Sequence, residues 1–220
     1  MNKIIIVDDH SLFREGIKLL IENEELGEVI AEADNGQEFI KLLDTHTPDL
    51  VIMDIEMPVM NGIEASKKGL FIQPNLKILI LTMMNEKTNY MELIQAGVMG
   101  FVLKTSGKNE FEKAIKTIMS GENYLAHDLM QLLEENNAMQ NAENAENQHS
   151  KTPVLTSREQ EVLVQLCKGF SVSEIADQLF LSVKTIESHR ASLLRKTDTK
   201  NTINLVLYGL KHKVELHAFL

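Results

Sequence analysis

The sequence predicts two domains of different class: a doubly wound α/β sheet of five parallel strands, then a small all-α domain of four helices. Three observations carry this. Short apolar runs alternate with amphipathic segments through the first 120 residues, as strands and helices of a parallel sheet do. The runs Ile4–Val7 and Ile78–Leu81 contain no alternating polar residues, as expected of strands covered on both faces. Charge is also divided. Residues 1–150 hold 12 Lys+Arg and 25 Asp+Glu, a net −13, whereas residues 151–220 hold 10 and 7, a net +3. A chain of 220 residues suits two small domains, and an acidic total can hide a mildly basic module for nucleic acid.

Taken in order, Lys3–Val7 is a strand, and Ser11–Glu22 is a helix with Leu12, Phe13, Ile17, Leu20 and Ile21 at helical spacing. Glu28–Ala33 is a strand, Gly36–Thr45 a helix, Asp49–Asp54 a strand and Gly62–Ile72 a weaker helix. Lys77–Thr82, Asn85–Ala96, Gly100–Leu103 and Asn109–Ser120 complete five βα units. Tyr124–Leu133 is read as a short helix. Residues 134–150 are rich in Asn, Glu, Gln and Ala, with little to bury, and read as a flexible linker. Further on, Thr156–Glu159 and Ser171–Glu174 have the capping-box pattern that opens a helix. Ser182 is the N-cap of a third helix reaching Lys196, and Asn201–Lys213 forms the fourth.

Composition excludes some functions. No apolar run approaches the roughly 18 residues of a membrane span, and carboxylates at Asp8-Asp9 end the first apolar run too early for a signal peptide. The single Cys167 can form neither an internal disulfide nor a cysteine-based zinc site. Cytoplasmic location is the expectation.

A doubly wound sheet places its site at the carboxyl ends of the strands. Strand one ends in Asp8-Asp9, strand three in Asp54 and strand four in Thr82, and Lys104 follows strand five. Converging carboxylates repel one another and call for a divalent cation. Oxygen-only ligands point to Mg²⁺, and Lys104 and Thr82 suit the oxygens of a phosphoryl group. Each residue alone is commonplace: an Asp at a strand end is most often a turn former. The conjunction carries the reading.

Residues 3–121 resemble the receiver domain of two-component response regulators, a flavodoxin-like fold. The matching segments are Ile-Ile-Val-Asp8-Asp9, Asp54-Ile-Glu-Met57-Pro58-Val-Met-Asn-Gly62, Leu-Thr82 and Gly100-Phe101-Val-Leu-Lys104. The resemblance implies phosphorylation at Asp54 and Mg²⁺ held by Asp8, Asp9, Asp54 and the backbone carbonyl of Glu56. It also implies that Phe101 turns inward when Thr82 is drawn to the phosphate. Thr105 stands where many receivers have proline, and Met83 stands where a small residue is common.

The segments Ser171–Phe180 and Ser182–Lys196, joined by a tight turn, have helix-turn-helix spacing, which sends the second helix into the major groove. Ile186, Leu193 and Leu194 are expected inside. Lys184, Thr185, Glu187, Ser188, Arg190 and Ala191 are expected to face out, with Arg195 and Lys196 at the phosphates. An ordinary amphipathic helix has the same pattern. Residues 155–214, however, resemble the four-helix LuxR-type DNA-binding domain through Leu155-Thr-Ser-Arg158-Glu159, Gly169-Phe-Ser171, Glu174-Ile-Ala176, Lys184-Thr185-Ile186, His189-Arg190 and Arg195-Lys196. Glu187 departs from the Lys that many members carry. His189 is open to two readings, a phosphate contact or a half-buried helix residue.

Together the resemblances imply a member of the NarL/FixJ family. The expected boundaries are a receiver at 1–122, a linker at 123–153 and a DNA-binding domain at 154–220. The expected function is a DNA-binding transcriptional regulator, switched by phosphotransfer from a sensor histidine kinase and acting on double-stranded DNA as a homodimer, with RNA polymerase a further partner. It would not be a turnover enzyme. Two rivals are an aspartate-nucleophile phosphatase, which would prefer Asp over Glu56 two residues after the nucleophile, and a constitutive dimer that never accepts phosphate.

Overall fold

A computed structural model describes residues 1–83, 90–125 and 154–212. The chain divides into two compact units, Met1–Tyr124 and Leu125–Leu220.

The first unit runs β1 (Lys3–Val7), α1 (Ser11–Asn23), β2 (Glu28–Ala33), α2 (Gly36–Leu42), β3 (Leu50–Asp54), α3 (Gly62–Ile72), β4 (Ile78–Thr82), α4 (Tyr90–Ala96), β5 (Gly100–Leu103) and α5 (Lys108–Met119), with β6 at Tyr124–Leu125. The sheet order is β2-β1-β3-β4-β5-β6, and the pairs among β1–β5 are parallel. Every residue of β3 and β4 is buried, which explains their unbroken apolar sequences. Ile4, Ile6, Leu50, Ile52, Leu79, Leu81 and Val102 form a core face with Phe111, Ile115 and Ile118 of α5.

The sheet has six strands rather than the five expected, and residues 124–125 are strand where the sequence suggested the start of a helix. The reason is local. Gly121, at φ +89°, ends α5 with its N–H on the carbonyl of Ile118. The chain then turns so that the Tyr124 N–H bonds to the Met99 carbonyl at 2.9 Å, extending the open edge beside β5. Residues 126–133 of that expected helix, the linker at 134–150, the start of the helix at Asn85 and the end of the last helix at Lys213 lie outside the described residues.

Register sets the rim. Val7 pairs with Met53, Asp54 with Leu81 and Thr82 with Leu103, so Asp8, Asp54, Thr82 and Lys104 emerge at one end of adjacent strands. Gly62 fits α3 tightly beneath Asp54. A Cβ at Gly62 would lie 1.9 Å from the Asp54 carbonyl oxygen, while the Gly62 N–H bonds to the Ile55 carbonyl at 2.9 Å. Only glycine permits that approach.

Among the described residues, the second unit holds α6 (Ser157–Cys167), α7 (Val172–Gln178), α8 (Val183–Thr197) and α9 (Thr202–Lys211). Both expected capping boxes form, at Thr156/Glu159 and Ser171/Glu174. Asn201 caps α9 by accepting from the Asn204 N–H. Val162, Leu163, Leu166, Ile175, Ile186, Leu193, Leu205 and Val206 form its core. The turn between α7 and α8 passes through Phe180 at φ +53°, a left-handed residue that reverses the chain within a few positions.

Candidate phosphoacceptor site and DNA-reading helix

Asp8 and Asp54 are both buried, and Lys104 reaches between them. Its Nζ lies 2.7 Å from Asp8 Oδ2 and 2.8 Å from Asp54 Oδ2, and 4.8 Å from the centre of the Phe13 ring. The Ile55 N–H donates to Asp54 Oδ1 at 2.8 Å. Burial pushes the Asp54 carboxyl above its ordinary range, and the hydrogen bond and charge of Lys104 offset only part of that. Burial pulls Lys104 the other way, but its hydrogen bonds to Asp54 and Asp8 outweigh it and raise the ammonium. One buried cation therefore faces two buried carboxylates, with Asp9 at the edge.

This pocket fits a divalent cation. Two buried carboxylates share the single Lys104 ammonium, and one donor atom from each of Asp8, Asp9, His10 and Asp54 lies within 4.8 Å of the others. Arg14 steadies the acidic end of β1: its guanidinium donates to the Asp8 carbonyl and pairs with Asp34 at 2.6 Å. Thr82 is buried at the rim, and its hydroxyl donates to the Met83 carbonyl at 2.8 Å rather than to an acidic side chain. Phe101 is already fully buried, packed edge-on against Tyr90 with ring centroids 6.0 Å apart.

Sequence reading missed His10. It is the N-cap position of α1 but makes no side-chain cap. Its Nδ1 instead lies 3.2 Å from Asp8 Oδ1 and 2.9 Å from Asp9 Oδ1. Apolar periodicity gives no signal for a ring that leaves the helix, although position two after Asp8 places it near the rim.

On α8, Ile186 and Leu193 are fully buried and Leu194 is half-buried. Lys184, Ser188, Ala191 and Arg195 are exposed at the i, i+4, i+7, i+11 spacing of one face. Glu187 is exposed beside that stripe. Arg190 and His189 are half-buried, Arg190 sharing the spacing of Ile186 and Leu193. Thr185 Oγ1 lies 2.7 Å from the hydroxyl of the N-cap Ser182.

Lys196 does not project with Arg195. Its Nζ lies 2.7 Å from Glu159 Oε2, a buried carboxylate that also accepts from the Thr156 N–H at 2.7 Å and Ser192 Oγ at 2.8 Å. Burial alone would raise Glu159; the bonds from Lys196, Thr156 and Ser192 win and lower it to about 2. Thr185, Ser192 and Lys196 share one flank of α8, and that flank meets α6.

Comparison with known proteins agrees with both halves. Residues 4–116 match the response regulator receiver domain and residues 153–208 the bacterial regulatory proteins of the luxR family. The oxygen regulatory protein NreC of Staphylococcus haemolyticus is 34% identical over 96% of this chain and 98% of its own. The NreC protein of Staphylococcus carnosus is 32% identical at the same coverage. Among solved structures, RcsB of Salmonella enterica serovar Typhimurium, bound to a promoter in the presence of the phosphomimetic BeF₃⁻, covers 96% of this chain and 99% of its own at 28% identity and TM-score 0.58. A LuxR-family response regulator from Aurantimonas covers 63% of this chain and 99% of its own at 34% identity and TM-score 0.59. Among the described residues no helix is long and apolar enough to cross a membrane. A receiver-type acidic rim on one unit and a capped helix-turn-helix on the other, with relatives matching end to end, make this chain a DNA-binding response regulator of a two-component system, of the NarL/FixJ type.

Proposed function

We propose that the chain is a cytoplasmic transcription factor switched by phosphorylation of Asp54. The observation that carries this is the buried, charge-unbalanced rim, in which one Lys104 serves two carboxylates. A sensor histidine kinase presents a phosphohistidine. A carboxylate oxygen of Asp54 attacks phosphorus, the P–N bond breaks, and the imidazole leaves as the neutral ring after taking up a proton. Lys104 then meets the phosphoryl oxygens, and Thr82 exchanges the Met83 carbonyl for one of them. Mg²⁺, held by Asp8, Asp9, Asp54 and the Glu56 carbonyl, supplies charge neutralisation for the phosphoryl group. The change is expected to begin at Thr82, the buried hydroxyl of the rim.

The phosphorylated protein pairs, and two DNA-binding units then cover half-sites about one helical turn apart. Lys184, Ser188 and Arg195 face the DNA, with Glu187 and Thr185 at the edge of the reading surface and Arg190 reaching from its inner flank. Lys196 serves the fold. RNA polymerase is the partner through which bound protein alters transcription. The chain acts once per phosphoryl group and is not a turnover enzyme.

Incubation with acetyl phosphate and Mg²⁺ should add one phosphoryl group, labile to base and hydroxylamine. Asp54→Ala should abolish the label; a label surviving in that variant refutes the assignment.

A further inference from the structure

The turn into the reading helix carries a side chain that the fold does not use. Leu179 and Leu181 pack against the core of the second unit, and Phe180 between them is turned to solvent, 95% exposed. Its backbone is explained by the end of α7. The Leu181 N–H bonds to the Ala176 carbonyl at 2.9 Å, a closure that puts the intervening residue in the left-handed region, here at φ +53°. Glycine or asparagine meets that demand at least cost. An exposed phenylalanine there is unfavourable twice, in its backbone and in the apolar surface it shows to water.

Val183 opens α8 and is also exposed, by 46%. Between it and the turn lies Ser182, whose hydroxyl is engaged as the N-cap, accepting from the Thr185 N–H at 3.1 Å. Lys184 follows, at the head of the exposed stripe that continues through Ser188, Ala191 and Arg195. In a helix-turn-helix the N-terminal residues of the second helix meet the base edges. The two apolar side chains therefore stand at the end of α8 that reaches the bases, continuous with the polar reading stripe.

We propose that Phe180 and Val183 form an apolar edge of the reading surface and pack on the C5 methyl groups of thymines in the major groove. The inference rests on the reading of α8 as the helix that enters the groove and adds a base that it selects. Side chains without a polar atom cannot read hydrogen-bonding groups; the thymine methyl is the feature of the major groove that they can recognise, and cytosine lacks it. Covering ring and methyl together removes apolar surface from water on both partners. That gain exists only in the complex, which accounts for a residue that disfavours the free protein.

The test uses the full chain and a duplex site selected from random DNA, in which each thymine in turn is replaced by deoxyuridine. That change removes the methyl and keeps every hydrogen-bonding group. Wild-type affinity should fall about three- to fivefold at one or two positions in each half-site. Phe180→Asn keeps a residue that tolerates the left-handed turn, so its melting temperature should hold or rise. Its affinity for thymine DNA should fall by a similar factor, and its sensitivity to deoxyuridine at one of those positions should vanish. Val183→Ser should do the same at a neighbouring position. Wild type indifferent to every deoxyuridine, or both variants as sensitive as wild type, overturns the proposal. A Phe180→Asn protein with normal DNA affinity but a smaller dimer fraction, or with normal affinity and no transcription in a reconstituted system, puts a second copy or RNA polymerase on the ring and overturns it too. Lys184→Ala separates the two readings. If it weakens binding while Phe180→Asn and Val183→Ser do not, only the apolar edge is refuted; if all three bind as wild type, the placement of α8 in the groove is refuted with it.

Discussion

Each domain sets a lysine against a buried carboxylate, and the two arrangements differ in what they leave over. In the DNA-binding domain, Glu159 receives bonds from Lys196, the Thr156 N–H and Ser192 and its pKa falls to about 2. In the receiver, Lys104 is divided between Asp8 and Asp54, and burial still lifts Asp54 above its ordinary range. A balanced cluster ties helices together. An unbalanced one has capacity left for a cation or a phosphoryl group. A buried ion pair is therefore informative about function through its imbalance rather than its presence.

The largest expected effect is on the balanced side. Lys196→Ala leaves Glu159 without its cation and should cost the DNA-binding domain about 2–3 kcal/mol, lowering its melting transition by roughly 10 °C or more. The salt dependence of DNA binding should be unchanged. If Lys196 were a phosphate contact, melting would hold and the slope of log affinity against log salt would flatten by about one.

Acid should expose the same pair. Glu159 has a folded pKa of about 2 against an ordinary 4.5, so its contribution is present above the unfolded value and is lost as pH falls toward the folded one. After allowance for solvent screening around Lys196, about 1–2 kcal/mol should disappear between roughly pH 5 and 2. Melting of Glu159→Gln over that range should be flatter than wild type; an equal slope would mean that other groups govern acid unfolding.

On the unbalanced side the sign reverses. Asp54→Asn leaves one cation facing one carboxylate, so in metal-free buffer at neutral pH the receiver should gain about 1 kcal/mol. Saturating Mg²⁺ should shrink the gain by stabilising wild type more. A variant less stable than wild type without metal would contradict the charge imbalance.

The smallest effect concerns the loop beside Asp54. Val59 has φ +67° and is exposed, a left-handed conformation that a β-branched residue adopts at a cost of about 1 kcal/mol or more. Val59→Gly should raise receiver stability by about that amount in denaturant melts. No gain would place the residue in a different backbone conformation.

Much of the receiver was legible because its chemistry sits at strand ends. Once the strands were placed, Asp8, Asp54, Thr82 and Lys104 had to share a rim. The capping boxes at Thr156 and Ser171 were legible because both partners lie within one turn. The two-residue β6 was not, since its pairing depends on the neighbouring edge of β5 rather than on its own pattern. The contact of Lys196 with Glu159 was hidden for a related reason. Glu159 could be seen as a cap, but its partner lies two helices later in the chain, and only the shared flank of Thr185, Ser192 and Lys196 hints at the contact. His10 shows the same limit: the sequence located the backbone but not the direction of the ring.

The central claim is that the state of Asp54 governs DNA binding by the other domain. It is tested most directly by measuring affinity for a site selected from random DNA, with and without BeF₃⁻ and Mg²⁺, for wild type and Asp54→Ala, alongside sedimentation. The account predicts that BeF₃⁻ raises wild-type affinity at least about tenfold, a shift of about 1.4 kcal/mol, together with the dimer fraction, and leaves Asp54→Ala unmoved. Equal affinity and an unchanged sedimentation profile for wild type in both states would contradict it.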